Sequence, residues 1–196
     1  MKLVIATRNP GKVNEIGALL SDDKIELLSL ADYPDMAEIA EDGDTFLENA
    51  LIKARVTAGH TGLPALADDS GLTVDALDGE PGVRSARFAP STEKRNRKLL
   101  RLLKGIPDDA RTARFVCALA LARPDGFEWT TIGICEGRIT RTPAGNEGFG
   151  YDPIFFYPPL SKTFAELSPR EKNVISHRGR ALQVFKTAVE RERILG

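Results

Sequence analysis

Leu3-Val4-Ile5-Ala6, an uninterrupted apolar run, passes within three residues into the helix start Asn9-Pro10. Asn9 is a good N-cap, Pro10 suits the first helical position, and Val13, Ile16, Leu19 and Leu20 recur at helical spacing. A buried strand feeding directly into an amphipathic helix is the opening of an interleaved fold, and the interleaving continues. Ile25 to Leu30 reads as a second strand. Thr45-Phe46-Leu47-Glu48 fits a capping box, which predicts a helix to about Gly59 with Leu47, Ala50, Leu51 and Ala54 inward. Ala65-Leu66-Ala67 reads as a short strand ending on Asp68-Asp69-Ser70-Gly71, and Leu72 to Leu77 alternates like another.

Ser91 to Leu103 predicts a basic amphipathic helix with Leu99, Leu100, Leu102 and Leu103 as its apolar side and Gly105 at its end. Arg114 to Ala122 and Trp129 to Thr140 are the longest strand candidates, rich in β-branched and aromatic residues. Ser168-Pro169-Arg170-Glu171 repeats the capping-box pattern, and the last helix buries Ala181, Leu182, Phe185 and Val189. The class is therefore α/β, with a long mixed sheet and helices packed on it. The 196 residues are read as a single domain, 1–196, or at most two small lobes, long enough to bury a core without disulfide or structural metal.

Charge and composition exclude several functions. Lys+Arg 27 against Asp+Glu 28 leaves a net charge of −1, which is not the balance of a protein that grips a nucleic-acid polymer by its phosphates. The basic run Lys94, Arg95, Arg97, Lys98, Arg101 and Lys104 is read as the solvated face of its helix. Cys117 and Cys135 lie in apolar stretches without metal-ligand spacing and read as small buried hydrophobes, while His60 and His177 do not make a metal pair. The longest apolar run, Val116 to Ala122, is too short to cross a bilayer, and the N-terminal apolar stretch is too short for a secretory signal. The expectation is a cytoplasmic protein.

Five segments could carry chemistry. The turn Thr7-Arg8-Asn9-Pro10-Gly11-Lys12 offers helix N-terminal amides and a lysine to a phosphate, although it is not a Walker A loop and also reads as an ordinary capped helix start. Asp68-Asp69-Ser70-Gly71 places two carboxylates side by side at a strand end, where a divalent cation would relieve their repulsion; a solvated turn is the competing reading. The acidic stretch from Glu38 leaves Glu41, Asp42, Asp44 and Glu48 all eligible for magnesium, beside Asn49 and Lys53 on one helix face. Gly145 to Asp152 presents Phe149 and Tyr151 either to a flat base or to the core. Lys172 and Ser176-His177-Arg178 offer donors for a carbonyl-rich ring or a phosphate, though alone His177 and Arg178 read as surface residues at a helix start.

Taken in order, these segments form a specific series. Thr7-x-Asn9-x-x-Lys12, Glu41-Asp42-Gly43-x-Thr45-Phe46-x-Glu48-Asn49-Ala50, Ala67-Asp68-Asp69-Ser70-Gly71-Leu72, Pro81-Gly82-Val83-x-Ser85-Ala86-Arg87, Gly148-Phe149-Gly150-Tyr151-Asp152-Pro153 and Ile175-Ser176-His177-Arg178 together resemble the inosine/xanthosine triphosphate pyrophosphatase family. The resemblance implies an elongated α/β fold with two lobes flanking a substrate cleft, usually a homodimer. It implies that Thr7, Arg8, Asn9, Pro10, Gly11 and Lys12, with Lys53, hold a triphosphate. Asp69 would be general base and magnesium ligand, with Glu41 the second metal carboxylate and Asp68 close by. Ser70 would touch the nucleotide, and Phe149, Gly150, Tyr151, Asp152, Lys172, His177 and Arg178 would hold base and sugar. Arg8 and the pair Asn146-Glu147 depart from the family pattern.

The implied reaction is Mg2+-dependent hydrolysis of ITP, dITP or XTP to the monophosphate and pyrophosphate. The alternatives are a related pyrophosphatase for modified pyrimidine or methylated nucleotides, and a nucleotide-binding module without turnover. Lys12 and Lys53 sit at helix positions where an exposed lysine is normally dispensable for stability, so their expected role is phosphate contact.

Overall fold

A computed structural model describes residues 1–20, 25–192 and 194–195. In chain order the main elements are β1 (Lys2–Ile5), α1 (Pro10–Leu20), β2 (Glu26–Ser29), α2 (Phe46–Thr61), β3 (Ala65–Val74), α3 (Thr92–Leu102), β4 (Thr112–Ala122), β5 (Glu128–Ile139), β6 (Phe155–Tyr157), β7 (Lys162–Thr163), α4 (Pro169–Ile175) and α5 (His177–Glu192). The strands form one seven-stranded mixed sheet in the order β2-β1-β3-β4-β5-β6-β7. β1 pairs parallel with β2 (Lys2 opposite Glu26) and with β3 (Val4 opposite Ala65), whereas β6 is antiparallel to both β5 and β7. The α/β class and the mixed sheet read from the sequence are both present.

The described chain divides into two compact units, Met1–Asp69 with Cys117–Gly133 and Arg178–Gly196, and Ser70–Val116 with Ile134–His177. In the first unit the two-residue period of the strands sorts side chains by size. Leu3, Ile5, Leu66, Cys117, Leu119 and Leu121 share one core with Ile16 and Leu20 of α1 and with Ala181, Leu182 and Phe185 of α5. The intervening Val4, Ala65, Ala67, Ala118, Ala120 and Ala122 meet Ala50, Ala54 and Ala58 of α2. Alanines at four-residue spacing against an alanine-rich sheet face let α2 lie close to the strands. That closeness brings a lysine on this helix within reach of the sheet backbone.

The second unit is built on aromatic contacts. Phe115 lies 4.6 Å from Phe155 and 5.6 Å from Phe164, centroid to centroid, within a core that also takes Leu72, Val74, Leu99, Leu103, Ile139 and Tyr151. Both cysteines are buried and free, as read from the sequence. Among the described residues no helix is long and apolar enough to cross a membrane.

Three local expectations need correction. The segment Asp68-Asp69-Ser70-Gly71 is not a turn between two strands but the middle of the ten-residue strand β3. Its turn-like composition is overridden by tertiary partners described below. Leu102, assigned to the apolar side of α3, is 43% exposed, whereas Leu99 and Leu103, the residue that ends the helix, are fully buried. The helix α2 runs past Gly59 to Thr61 and stops where Gly62 takes a left-handed conformation, φ 66°.

Candidate active site

β3 runs straight through Asp68 and Asp69, so their side chains leave the strand on opposite faces. Asp68 follows the parity of Leu66 towards α1 and α5. Asp69 follows Ala65 and Ala67 towards α2. Each carboxylate meets its own cations. Asp68 Oδ1 lies 2.6 Å from Lys12 Nζ and Asp68 Oδ2 lies 2.7 Å from Arg178 Nε. The Cys117 thiol also donates to Asp68 Oδ2, at 3.2 Å, and Arg178 reaches Glu15 with its other edge. Burial opposes the charge on Asp68, but Arg178 and Lys12 outweigh it and hold this carboxyl well below the usual carboxylate range. Arg178 is itself buried and held protonated by Asp68 and Glu15 against that burial. The repulsion that sequence adjacency suggests is therefore resolved by geometry: the two carboxylates do not share a face.

On the other face, Lys53 Nζ donates to Asp69 Oδ1 at 2.7 Å, to Glu41 Oε1 at 2.9 Å and to the Asp68 carbonyl at 2.9 Å. Burial disfavours the ammonium, yet Asp69 and Glu41 outweigh it and the Lys53 pKa is raised. At Asp69 burial dominates: together with the nearby Glu41 charge it lifts the carboxyl above its ordinary value, although Lys53 and Lys12 pull it down. Asp69 is thus a carboxylate with enhanced basicity, 8% exposed. Lys53 is equally buried, so the expectation of an exposed lysine on α2 is wrong. The alanines of α2, packed against those of β3, bring it to the Asp68 carbonyl.

Glu41 is the member of its acidic stretch that joins this group. The Glu48 carboxylate is committed to the amides of Asp44 (2.8 Å) and Thr45 (3.0 Å) in the capping box, and Asp42 and Asp44 are exposed. Asn49 fixes the approach of this stretch by accepting from the Gly43 N–H (2.9 Å) and donating to the Gly43 carbonyl (3.3 Å). A Cβ at Gly43 would stand 2.7 Å from Glu48 Cβ, which explains the glycine. Among the described residues no three His, Cys, Asp or Glu side chains converge as a metal set. Two hard carboxylate oxygens do converge on one cation, the ammonium of Lys53. That fits magnesium, which takes one or two protein carboxylates and completes its shell with phosphate and water.

The turn before α1 is a nest of local bonds. Thr7 Oγ1 accepts from the Asn9 amide (3.2 Å), and Asn9 Oδ1 accepts from the amides of Gly11 (2.9 Å) and Lys12 (3.3 Å). Arg8 Nη2 donates to the Met36 carbonyl at 2.5 Å, so this departure from the family pattern braces the turn against a neighbouring segment. Pro10 and Gly11 open the helix behind it.

In the second unit, Asp152 Oδ2 accepts from the Phe149 amide (2.8 Å) and from Lys172 Nζ (2.6 Å), and Lys172 stands 4.7 Å from the centre of the Phe149 ring. Gly148 has φ 74°, and a Cβ there would fall 2.1 Å from Asp152 Oδ2, so only glycine permits the loop to close on this carboxylate. Gly150 follows with φ 64°, its carbonyl accepting from Asn96 Nδ2 at 3.2 Å. Phe149 is half-buried. Of the two places left open for Tyr151 it takes the core: it is 4% exposed and donates its hydroxyl to the Ser85 carbonyl at 2.9 Å. His177 is likewise no surface residue, its ring stacked on Phe115 at 4.7 Å and 11°. Ser70 is half-buried on β3.

Arg178, grouped with the base by resemblance and read alone as a surface residue, is buried on Asp68 and Glu15. Glu15 and Ser85 escaped the sequence reading as anchors. For Glu15 a signal existed, since it lies one turn beyond Lys12 on the same helix. For Ser85 none did.

The chain belongs to the Ham1 family, which it matches over residues 3–188. It is 54% identical over 188 residues to the dITP/XTP pyrophosphatase of Geobacter sulfurreducens, covering 94% of each chain. Its fold matches a HAM1 protein from Coxiella burnetii with a TM-score of 0.89 at 45% identity, covering 97% of this chain and 98% of that one. The Ham1 protein of Staphylococcus aureus gives a TM-score of 0.88 at 37% identity, over 98% and 100% of the two chains.

Proposed function

We propose that this protein hydrolyses non-standard purine nucleoside triphosphates, ITP, dITP and XTP, to the monophosphate and pyrophosphate. The observation that carries the reading is Asp69, a buried carboxylate with raised basicity beside Glu41 and Lys53. The names of the relatives favour the purine reading over modified pyrimidine or methylated nucleotides. A binding module without turnover would have no use for a basic carboxylate in this setting.

In the proposed reaction Asp69 accepts a proton from water as the water oxygen bonds to the α-phosphorus. The bond from that phosphorus to the α,β-bridging oxygen breaks, and pyrophosphate leaves with the electron pair. Glu41 and Asp69 would hold Mg2+, which supplies charge neutralisation on the phosphate oxygens. Lys12 and Lys53 would hold the triphosphate beside the turn from Thr7 to Gly11, whose Asn9 and Gly11 amides are taken up by Thr7 and Asn9. Phe149, with Gly150, Asp152 and Lys172 holding its loop, offers a face to a purine, and Ser70 and His177 are polar groups for nucleotide recognition. Arg178 would have to exchange Asp68 or Glu15 to reach a base. We extend the reading to a cytoplasmic homodimer, which light scattering would test.

The deciding assay gives purified protein, Mg2+ and a panel of nucleoside triphosphates, with pyrophosphate and orthophosphate measured separately. Pyrophosphate with monophosphate is expected. Orthophosphate with diphosphate would overturn attack at the α-phosphorus.

A further inference from the structure

Lys53 is coordinated much as a small cation is coordinated. Its three N–H groups meet three oxygens at 2.7, 2.9 and 2.9 Å, those of Asp69, Glu41 and the Asp68 carbonyl. Two of the three belong to the carboxylates assigned to magnesium above. A carboxylate oxygen about 2.0–2.1 Å from magnesium cannot keep an ammonium on the same side, because the two cations would be in contact and would repel. The second lysine offers a contrast. Lys12 Nζ bonds Asp68 on both its carboxylate and its carbonyl, at 2.6 and 3.1 Å, and touches neither Asp69 nor Glu41 in any bond.

We infer that Lys53 and the divalent cation occupy the Glu41–Asp69 pair alternately, the ammonium leaving when the metal nucleotide arrives. This rests on the magnesium reading. Lys53 holds the two carboxylates together until then, which offsets their mutual repulsion and preserves their spacing. Its four-carbon stem allows the charged end to swing, and the departing ammonium keeps the Asp68 carbonyl within reach while it turns towards phosphate oxygens. The exchange has a thermodynamic consequence. Without nucleotide, the metal must eject an ammonium that has no new partner, so Lys53 weakens metal binding. With nucleotide, the phosphates receive the displaced charge, so metal and nucleotide strengthen each other's binding by the same factor.

The test uses the whole protein and Mn2+ as a spectroscopic probe, counting free Mn2+ by electron paramagnetic resonance. Lys53→Met keeps the stem and removes the charge; Lys53→Gln is a second neutral variant that retains hydrogen bonding should Met disturb folding. Without nucleotide, both variants are expected to bind Mn2+ at least tenfold more tightly than the parent. Lys12→Met removes an equal charge that shares only the Asp68 carbonyl with Lys53 and bonds neither Glu41 nor Asp69, and it should shift Mn2+ affinity less than threefold. A non-hydrolysable imido analogue of ITP should tighten Mn2+ binding in the parent, and by a smaller factor in the Lys53 variants. Unchanged or weaker Mn2+ binding in both Lys53 variants overturns the exchange, as does a gain no larger than that of Lys12→Met. Glu41→Gln separates the two possible failures. If Mn2+ affinity ignores Glu41→Gln, the metal assignment falls and the exchange falls with it. If it depends on Glu41 and the Lys53 variants show no gain, only the exchange falls.

Discussion

Asp68 and Asp69, adjacent in sequence, stand back to back across β3: Asp68 is bound by Lys12 and Arg178 on one face and Asp69 by Lys53 on the other. One carboxyl is driven well below its ordinary pKa and the other above it, by opposite balances of burial and neighbouring cations. At Asp68 the cations outweigh burial, and at Asp69 burial outweighs the cation. Such a divergence is what would separate the proposed base, Asp69, from an anchor. The two positions should therefore respond oppositely to the same substitution.

Asp69→Asn should remove most turnover and leave nucleotide binding largely intact, since the lysines remain. Loss of one proton-transfer group costs on the order of a hundredfold to ten-thousandfold in kcat. Stability at neutral pH should change less than in Asp68→Asn, because burial already opposes the Asp69 charge and Lys53 keeps Glu41 and the Asp68 carbonyl as partners. Single-turnover kinetics and a urea titration of the same preparation check both halves. Near-normal turnover would pass the role of base to another group.

Asp68→Asn should behave in the reverse way, destabilising the fold by about 3 kcal/mol or more, because it leaves Arg178 buried without its countercharge. The sign with pH follows from the lowered native pKa. The contribution of Asp68 is full above the unfolded value of about 3.9 and fades as pH falls through the native value. The gap between parent and variant in urea should therefore be widest near neutrality and close in acid. A gap that persists unchanged at the lowest accessible pH would mean that packing, not charge, holds Arg178.

What could be read in the sequence, and what could not, divides by range. The cap at Asn9, the box at Thr45 and Glu48 and the box at Ser168 and Glu171 are bonds between near neighbours, and each is present as the spacing predicts. The extension of β3 through Asp-Asp-Ser-Gly was not legible, because local composition favours a turn and the forces that overrule it come from afar. Lys12 reaches Asp68 across 56 positions and Arg178 across 110. His177, read alone as a surface residue, was misplaced for the same reason, and the choice left open at Tyr151 could not be made, since their burial depends on Phe115 and Ser85 rather than on their own neighbours.

The loop at Phe149 separates contact from support. Phe149→Ala should raise KM for all purine triphosphates alike, with little change in Tm, because a half-buried ring that stacks on a base is blind to its substituents. Tyr151→Phe should act on the fold instead. It removes the bond to the Ser85 carbonyl and should cost on the order of 1 kcal/mol of stability, with substrate preference unchanged. A shift in preference from Tyr151→Phe, with Tm unmoved, would return the tyrosine to the site.

Substrate selectivity provides the sharpest separation among nucleotides. Hypoxanthine and xanthine carry a carbonyl at the six-position where adenine carries an amino group. A site that donates to that carbonyl, from His177, Lys172 or a loop amide held by Asp152, would set donor against donor on adenine and leave a buried group unpaired. In sites built on hydrogen bonds such a mismatch is worth a factor of up to about ten thousand. Guanine keeps the carbonyl, so its rejection must fall on the two-amino group and should be weaker. Catalytic efficiency is therefore expected to fall from ITP and XTP to GTP, with ATP and the pyrimidine triphosphates lower still. Phe149→Ala should lower the whole purine series without changing its order, since stacking contributes equally to each. Initial rates for these nucleotides, on parent and variant, decide the matter. An order led by ATP or by a pyrimidine would dismiss the base contacts while leaving the chemistry at Asp69 in place.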